Sequence, residues 1–390
     1  MKYVKKLGIA LVLSSSAALV QAQEPVKIGF IGTLSTPAGY IGEDERDGFA
    51  LAIREEGGKL GGVPVELVVE DDGLKPSTGK QSAEKMLQEG IRLFTGINFS
   101  NVMAAVVPSV VKEGGFYVSL NAGPSNFAGK ACNKNLFGVA FQNDSHSDTA
   151  AMVANEIGAK KIVLIASAYQ AGRDSVNGFK SAYDGEVLAE IYTKLDQSDF
   201  SVELARIRSL KPDAIFQFLP GGPGINFSKQ FHNSGLGDSV KMVTTLALDD
   251  RMIAATGEAT EGYYLSSPWT ALTDNAASKA FVERFQKEYG RMPTSYAATS
   301  YDTALLVASA LKAVDGDITG KAVQFREALR KADFTSVRGK FKFGPNQFPI
   351  QDWYLVQVQR DDQGNLAFKP LSTVATDHSD PYAKLCKMDG

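Results

Sequence analysis

From residue 26 onward, short apolar runs alternate with longer stretches whose apolar residues recur every three or four positions. The runs at 26–31, 63–69, 91–95, 116–120, 161–166, 187–192 and 214–219 are rich in Val, Ile, Leu and Phe and predict buried strands. Between them, 43–56, 77–88, 102–112, 147–157, 172–183, 200–209 and 225–233 carry helical spacing. In the first of these, Phe49, Ala52 and Ile53 share one face, and Gly57-Gly58 stops the helix. Strands buried on both faces and alternating with amphipathic helices predict parallel sheets covered by helices, so the fold class is α/β. The last third changes rhythm. It predicts helices over 276–289, 296–314 and 321–330, then a β-hairpin from 353–359, a turn at 361–364, and 367–371.

The N-terminus does not share this pattern. Lys2, Lys5 and Lys6 precede an apolar and small-residue stretch over 7–20, and Val20-Gln21-Ala22 supplies the small residues of a cleavage site. Residues 1–22 therefore read as a secretory leader, cut before Gln23. Losing those three lysines takes the net charge from −3 to −6. The remaining chain, about 370 residues, exceeds what one hydrophobic core supports, which predicts two lobes. No low-complexity linker separates them, so the polypeptide is expected to cross between lobes more than once. No later stretch approaches the roughly 20 apolar residues of a membrane span. A mildly acidic chain without basic clusters excludes a nucleic-acid partner. With 44% hydrophobic and 22% charged residues it is not disordered.

Candidate chemistry is sparse. The two cysteines, Cys132 and Cys386, are read as one disulfide tying the C-terminal tail to the body, the alternative being two separate thiols. His146, His232 and His378 are scattered, without metal-ligand spacing, so no metal is expected. Gly73-Leu74-Lys75-Pro76-Ser77-Thr78-Gly79-Lys80-Gln81 is one residue too long for a phosphate loop, and Gln81 replaces its hydroxyl. Neither a dinucleotide fingerprint nor a nucleophile elbow is present, so no cofactor and no serine hydrolase chemistry is expected.

Binding elements are easier to find. Gly96-Ile97-Asn98-Phe99-Ser100 follows a strand and opens a helix, which reads Ser100 as an N-cap. The same end offers unpaired amide protons to an anion, and it follows a strand's carboxyl end, where open α/β sheets bind ligands. Ser119-Leu120-Asn121-Ala122-Gly123-Pro124-Ser125 ends the next strand with small residues that let a ligand approach the backbone. An isolated cap and an ordinary connection are the plainer readings. Tyr40, Phe99, Tyr169 and Trp269 lie in or beside expected loops and divide between cleft lining and core.

The order of these pieces resembles the periplasmic leucine/isoleucine/valine-binding proteins, type I solute receptors of ABC importers. The resemblance covers essentially the whole chain after the leader. It rests on Val26-Lys27-Ile28-Gly29 with Leu34-Ser35-Thr36-Pro37, and on Gly57-Gly58-Lys59-Leu60-Gly61-Gly62. Further marks are Glu70-Asp71-Asp72, Gly96-Ile97-Asn98-Phe99-Ser100, Phe141-Gln142-Asn143-Asp144, Tyr169-Gln170-Ala171-Gly172 and Tyr301-Asp302. It implies two Rossmann-like lobes joined by three crossovers near Asn143, Pro268 and Ile350. The lobes would be 23–143 with 268–349, and 144–267 with 350–390. It also implies a monomeric periplasmic binder, without catalysis, that delivers its ligand to an ABC-transporter permease.

The same resemblance places a ligand carboxylate on Ser100 and the amide groups of its junction, with Asn98 and Phe99 beside it, and a backbone carbonyl contact on Asn121, with Ala122 next to it. A family threonine falls on Gly123, so that hydroxyl is lost. Of two acids that hold an amino group in the family, one falls on Asp144 and the other near Thr245, where no acid stands. With Tyr40, Phe99 and Tyr169 nearby, this favours an aromatic or other apolar carboxylate over an amino acid. A branched-chain or neutral amino acid, a sensory subunit and a secreted enzyme are the alternatives.

Overall fold

The computed structural model describes residues 24–388, so the expected leader lies outside the described residues. A first sheet contains β1 (Val26–Gly32), β2 (Lys59–Leu60), β3 (Val63–Asp71), β4 (Leu93–Gly96), β5 (Phe116–Ser119) and β6 (Leu136–Gly138). Their order is β2-β3-β1-β4-β5-β6, parallel except for the short β2. The second sheet takes β7 (Lys161–Ser167), β8 (Glu186–Thr193), β9 (Ala214–Phe218), β10 (Lys241–Thr245), β11 (Tyr264–Ser267), β12 (Lys342–Phe343), β13 (Pro349–Arg360) and β14 (Leu366–His378). Here β8, β7, β9, β10 and β11 are parallel, and β13 joins β11 antiparallel with β14 on it.

Each sheet has a point where successive strands are laid on opposite sides. In the first it falls between β1 and β4, and in the second between β7 and β9. Crevices open at the carboxyl ends of strands at such points. The chain leaves the first sheet after β6 and leaves the second after β11, when helices Ala276–Tyr289, Ser295–Val314 and Ala322–Lys331 return to the first lobe. It passes back into β12 and β13 at the end. Helix Ser295–Val314 packs along Gly39–Glu55 to close the first core.

Several boundaries differ from the sequence expectation. The first helix begins at Gly39, and so takes in Tyr40, which was expected in a loop. It can start there because its glycines let it lie directly on the preceding loop: a Cβ on Gly42 would stand 2.2 Å from the Thr33 carbonyl oxygen. Strands β6, β10 and β11 carried no expectation; they are three to five residues long, too short to show a period. β14 runs to His378, beyond the expected 371, because it is half-exposed and its outer residues are polar. The disulfide expectation is met: Cys132 and Cys386 are bonded, with Cα atoms 5.6 Å apart. The bond holds the tail that carries Tyr382 against the body.

A solvent-free ion pair ties the crossovers together. Asp302, in the long helix, accepts from Ser336 Oγ (2.6 Å), Val337 N (2.8 Å) and Arg338 Nε (2.8 Å). Arg338 then donates to the Ala140 carbonyl (3.1 Å) in the first crossing and to Gln351 Oε1 (2.7 Å) in the third. Both charged groups are buried. Of the Tyr301-Asp302 pair seen in the sequence, Asp302 thus ties the crossovers, while Tyr301 donates to Glu55 Oε2 in the first core.

Candidate functional site

A narrow cavity of about 30 Å³ lies between the two switch points. Asn98, Phe99 and Ser100 reach it after β4, and Asn121 and Ala122 after β5. Tyr169 and Ala171 follow β7, Phe218 and Pro220 close β9, and Leu246 and Ala247 follow β10. Phe141, Asn143 and His146 enter from the first crossover, with Ile41 and Tyr296 completing the wall. Most of these lie at strand carboxyl ends, because that is where both parallel sheets open.

The polar floor centres on Ser100. It is the first residue of helix Ser100–Lys112; the extended residue before it, Phe99, holds the cap position, and no side chain caps the helix. This corrects the reading of Ser100 as an N-cap. Its hydroxyl is engaged by the crossover instead. Asn143 Nδ2 donates to Ser100 Oγ at 3.0 Å and to Asp174 Oδ2 at 3.0 Å, while its Oδ1 accepts from Gly123 N at 3.1 Å. That last bond sets which way the Asn143 amide faces. Ser100 Oγ is therefore an acceptor from Asn143, and its own O–H is left to donate into the cavity. The uncapped helix start adds amide protons and the positive end of the helix dipole.

The rest of the wall is apolar and aromatic. Phe99 lies 6.0 Å from Tyr169, which stacks on Phe218 at 6.4 Å between centroids. His146 stacks on Phe218 (5.1 Å) and meets Phe141 edge to face (5.0 Å). Burial pushes its imidazole down to about 3, so the ring is neutral. No Asp, Glu, Lys or Arg lines the cavity.

Four residues proposed from the sequence stand elsewhere. Asp144 is turned towards the C-terminal tail, accepting from Gln142 Nε2 (2.6 Å) and Tyr382 OH (3.0 Å). Thr245 caps its own turn, accepting from Ala247 N at 3.2 Å. Tyr40 donates across the lobes to Asp249 Oδ2 at 2.8 Å, under the Arg251 guanidinium. Gly123 lies behind the wall, and a Cβ there would sit 2.2 Å from the Phe141 carbonyl oxygen. The missing threonine hydroxyl thus reflects a backbone contact. We expect Gly123→Thr to lower the unfolding free energy by about 3 kcal/mol or more in a urea titration, without improving binding. A stable variant with tighter binding would contradict this.

Sequence reasoning missed Ile41, Phe141, Asn143, His146, Ala171, Phe218, Pro220, Leu246, Ala247 and Tyr296 as lining. Phe218-Leu219-Pro220-Gly221-Gly222 carried the same mark as the loop after β5, a strand ending in small residues. Tyr296 carried none, because it enters from the first turn of a long helix rather than from a strand end. The lobes are shut over the cavity. Arg251 Nη1 donates to Glu43 Oε2 (3.0 Å) and Asp44 Oδ1 (3.3 Å), and Ser125 Oγ to Asp174 Oδ1 (3.0 Å). Gly221, at φ 72°, lies against Ala38, leaving no room for a side chain.

A family model described as periplasmic binding protein matches residues 25–365. The chain belongs to the periplasmic binding protein family. Among its relatives in that family, the Leu/Ile/Val-binding protein homolog 6 of Brucella melitensis is 29% identical over 385 residues, covering 95% of this chain and 97% of the relative. A solute-binding protein of an ABC transporter from R. palustris, solved with benzoate, superimposes with a TM-score of 0.88 at 29% identity, over 93% of this chain and all of the other. A second from R. palustris, solved with 4-hydroxybenzoate, gives 0.84 at 28% identity, over 92% and 99% of the two chains. This periplasmic binding protein has the two Rossmann-like lobes and three crossovers of the type I arrangement.

Proposed function

We propose that this chain is the extracytoplasmic receptor of an ABC importer, and that it clamps an aromatic carboxylate between its lobes. One observation carries the reading: the cavity offers a hydroxyl and a helix start to an anion, rings to its body, and no acid to an ammonium group. The solved relatives that hold benzoate and 4-hydroxybenzoate support it. The ligand's ring, about 150 Å² of surface, contributes roughly 4 kcal/mol on burial at ~25 cal/mol per Å². Two charge-assisted hydrogen bonds add about 1.5–3 kcal/mol each. Together these reach the roughly 8 kcal/mol of micromolar affinity. The ligand contacts both lobes only when they are shut, so it shifts the population to the closed form, which a permease would read. The lobe boundaries at 143/144, 267/268 and 349/350, the monomeric state, the cleaved leader and the lack of turnover belong to the same reading.

The relatives named for leucine, isoleucine and valine favour a second reading, a branched-chain amino acid. An ammonium in this cavity would face no carboxylate, at a cost of several kcal/mol. Calorimetry separates the two. Benzoate or 4-hydroxybenzoate should bind in the micromolar range or tighter, and leucine at least about 100-fold more weakly. Tight leucine binding with no response to aromatic acids would overturn the proposal.

A further inference from the structure

Behind the carboxylate site lies a second, buried carboxylate. Glu45, on helix Gly39–Glu55, is fully buried, and the ion pairs among the described residues do not include it. Each of its oxygens meets one cavity-lining asparagine: Oε2 accepts from Asn98 Nδ2 at 2.7 Å and Oε1 from Asn121 Nδ2 at 2.6 Å.

The two asparagines are not equivalent. Asn98 Oδ1 accepts from Thr33 N at 2.6 Å, which locks that amide in one orientation. No hydrogen bond holds Asn121 Oδ1 among the described residues, so this amide is free to turn over. With Glu45 ionised, Asn121 must give it Nδ2, leaving the oxygen on the cavity side to repel an anion. With Glu45 protonated at Oε1, the acid donates to Asn121 Oδ1 and the amide nitrogen becomes free to donate to the ligand.

We propose that the receptor binds its carboxylate ligand with Glu45 protonated, taking up at most one proton from solvent as it does so, the Asn121 amide turning over to couple the two events. The inference rests on the carboxylate reading of the cavity given above. The charged groups facing Glu45 favour its protonation, and only the two asparagine donors oppose it. Asp44, beside it on the same helix, pairs with Arg291 and Arg251, and Asp72 lies at the end of β3. From β5 and helix Ser295–Val314 come Tyr117 and Tyr296, both held neutral by burial. Desolvation, opposed by the two asparagine donors and aided by Asp44 and Asp72, pushes Glu45 up to about 8. A ligand anion beside it raises it further, and this is the uptake.

The test is benzoate titration of the wild-type chain at pH 8 in phosphate and in Tris, whose ionisation heats differ. Differing observed heats, corresponding to uptake of up to about half a proton, are expected, with affinity falling towards tenfold per pH unit above pH 8. Glu45→Gln, which carries the neutral amide in place of the acid, should bind benzoate with the same heat in both buffers and a flat profile from pH 7 to 9. Equal heats for the wild type, or uptake that persists in Glu45→Gln, would overturn the inference while leaving the carboxylate reading intact. Should Glu45→Gln not fold, the two-buffer result on the wild type decides alone. No benzoate binding by the wild type at any pH would overturn the carboxylate reading and this inference with it.

Discussion

Replacing Ser100 by alanine is expected to weaken benzoate binding by more than tenfold while moving the melting temperature of the unliganded protein little. The hydroxyl oxygen already accepts from Asn143, so its proton is the one the site can give to a ligand. A hydrogen bond to a charged group contributes about 1.5–3 kcal/mol, or roughly tenfold to a hundredfold in affinity. Stability should change little because Ser100 does not cap its helix. What is lost is one bond from Asn143, whose amide still reaches Asp174 and Gly123. Calorimetry and a thermal melt on the same variant distinguish the outcomes. Unchanged affinity would move the ligand's acid group away from Ser100, and a large loss of stability with unchanged affinity would restore the capping role.

Asp302→Ala is expected to have the largest effect on stability. It leaves the Arg338 guanidinium buried without its counter-charge, at a cost of about 3–5 kcal/mol. It also frees Ser336 Oγ and Val337 N. Arg338→Met should cost a similar amount, since it strands the Asp302 carboxylate and leaves Gln351 Oε1 without its donor, although Gln351 Nε2 still reaches the Ala140 carbonyl. The Asp302→Ala, Arg338→Met double variant should be less unstable than the two losses added, by more than about 1 kcal/mol, because no lone charge remains. Urea denaturation of the four proteins measures this directly. Strict additivity would show that the two side chains do not depend on each other.

Much of the candidate site could be read locally. Asn98, Phe99, Ser100, Asn121, Ala122 and Tyr169 line the cavity because a residue just past a parallel strand's carboxyl end must lie near the opening of the sheet. Which way a side chain turns there is another matter. Asp144 directly follows the cavity residue Asn143 in the chain, yet it faces a tail more than 230 positions away, held in place by Cys132–Cys386. Tyr40 is drawn out of the wall by Asp249, which belongs to the other lobe. His146 and Tyr296 enter from the first turns of two helices, where nothing in the sequence marks them as cavity lining.

The α/β class, the two lobes and several of the loops that line the cavity follow from the order of amino acids, because strand and helix periods and turn residues act over a few neighbours. The electrostatic character of the cavity does not. A wall free of acids, a neutral His146 and a carboxylate at Glu45 shared by Asn98 and Asn121 arise from groups far apart in the chain. Their proton affinities are set by burial and by the partners that the closed lobes bring together, and neither quantity exists until the chain has folded.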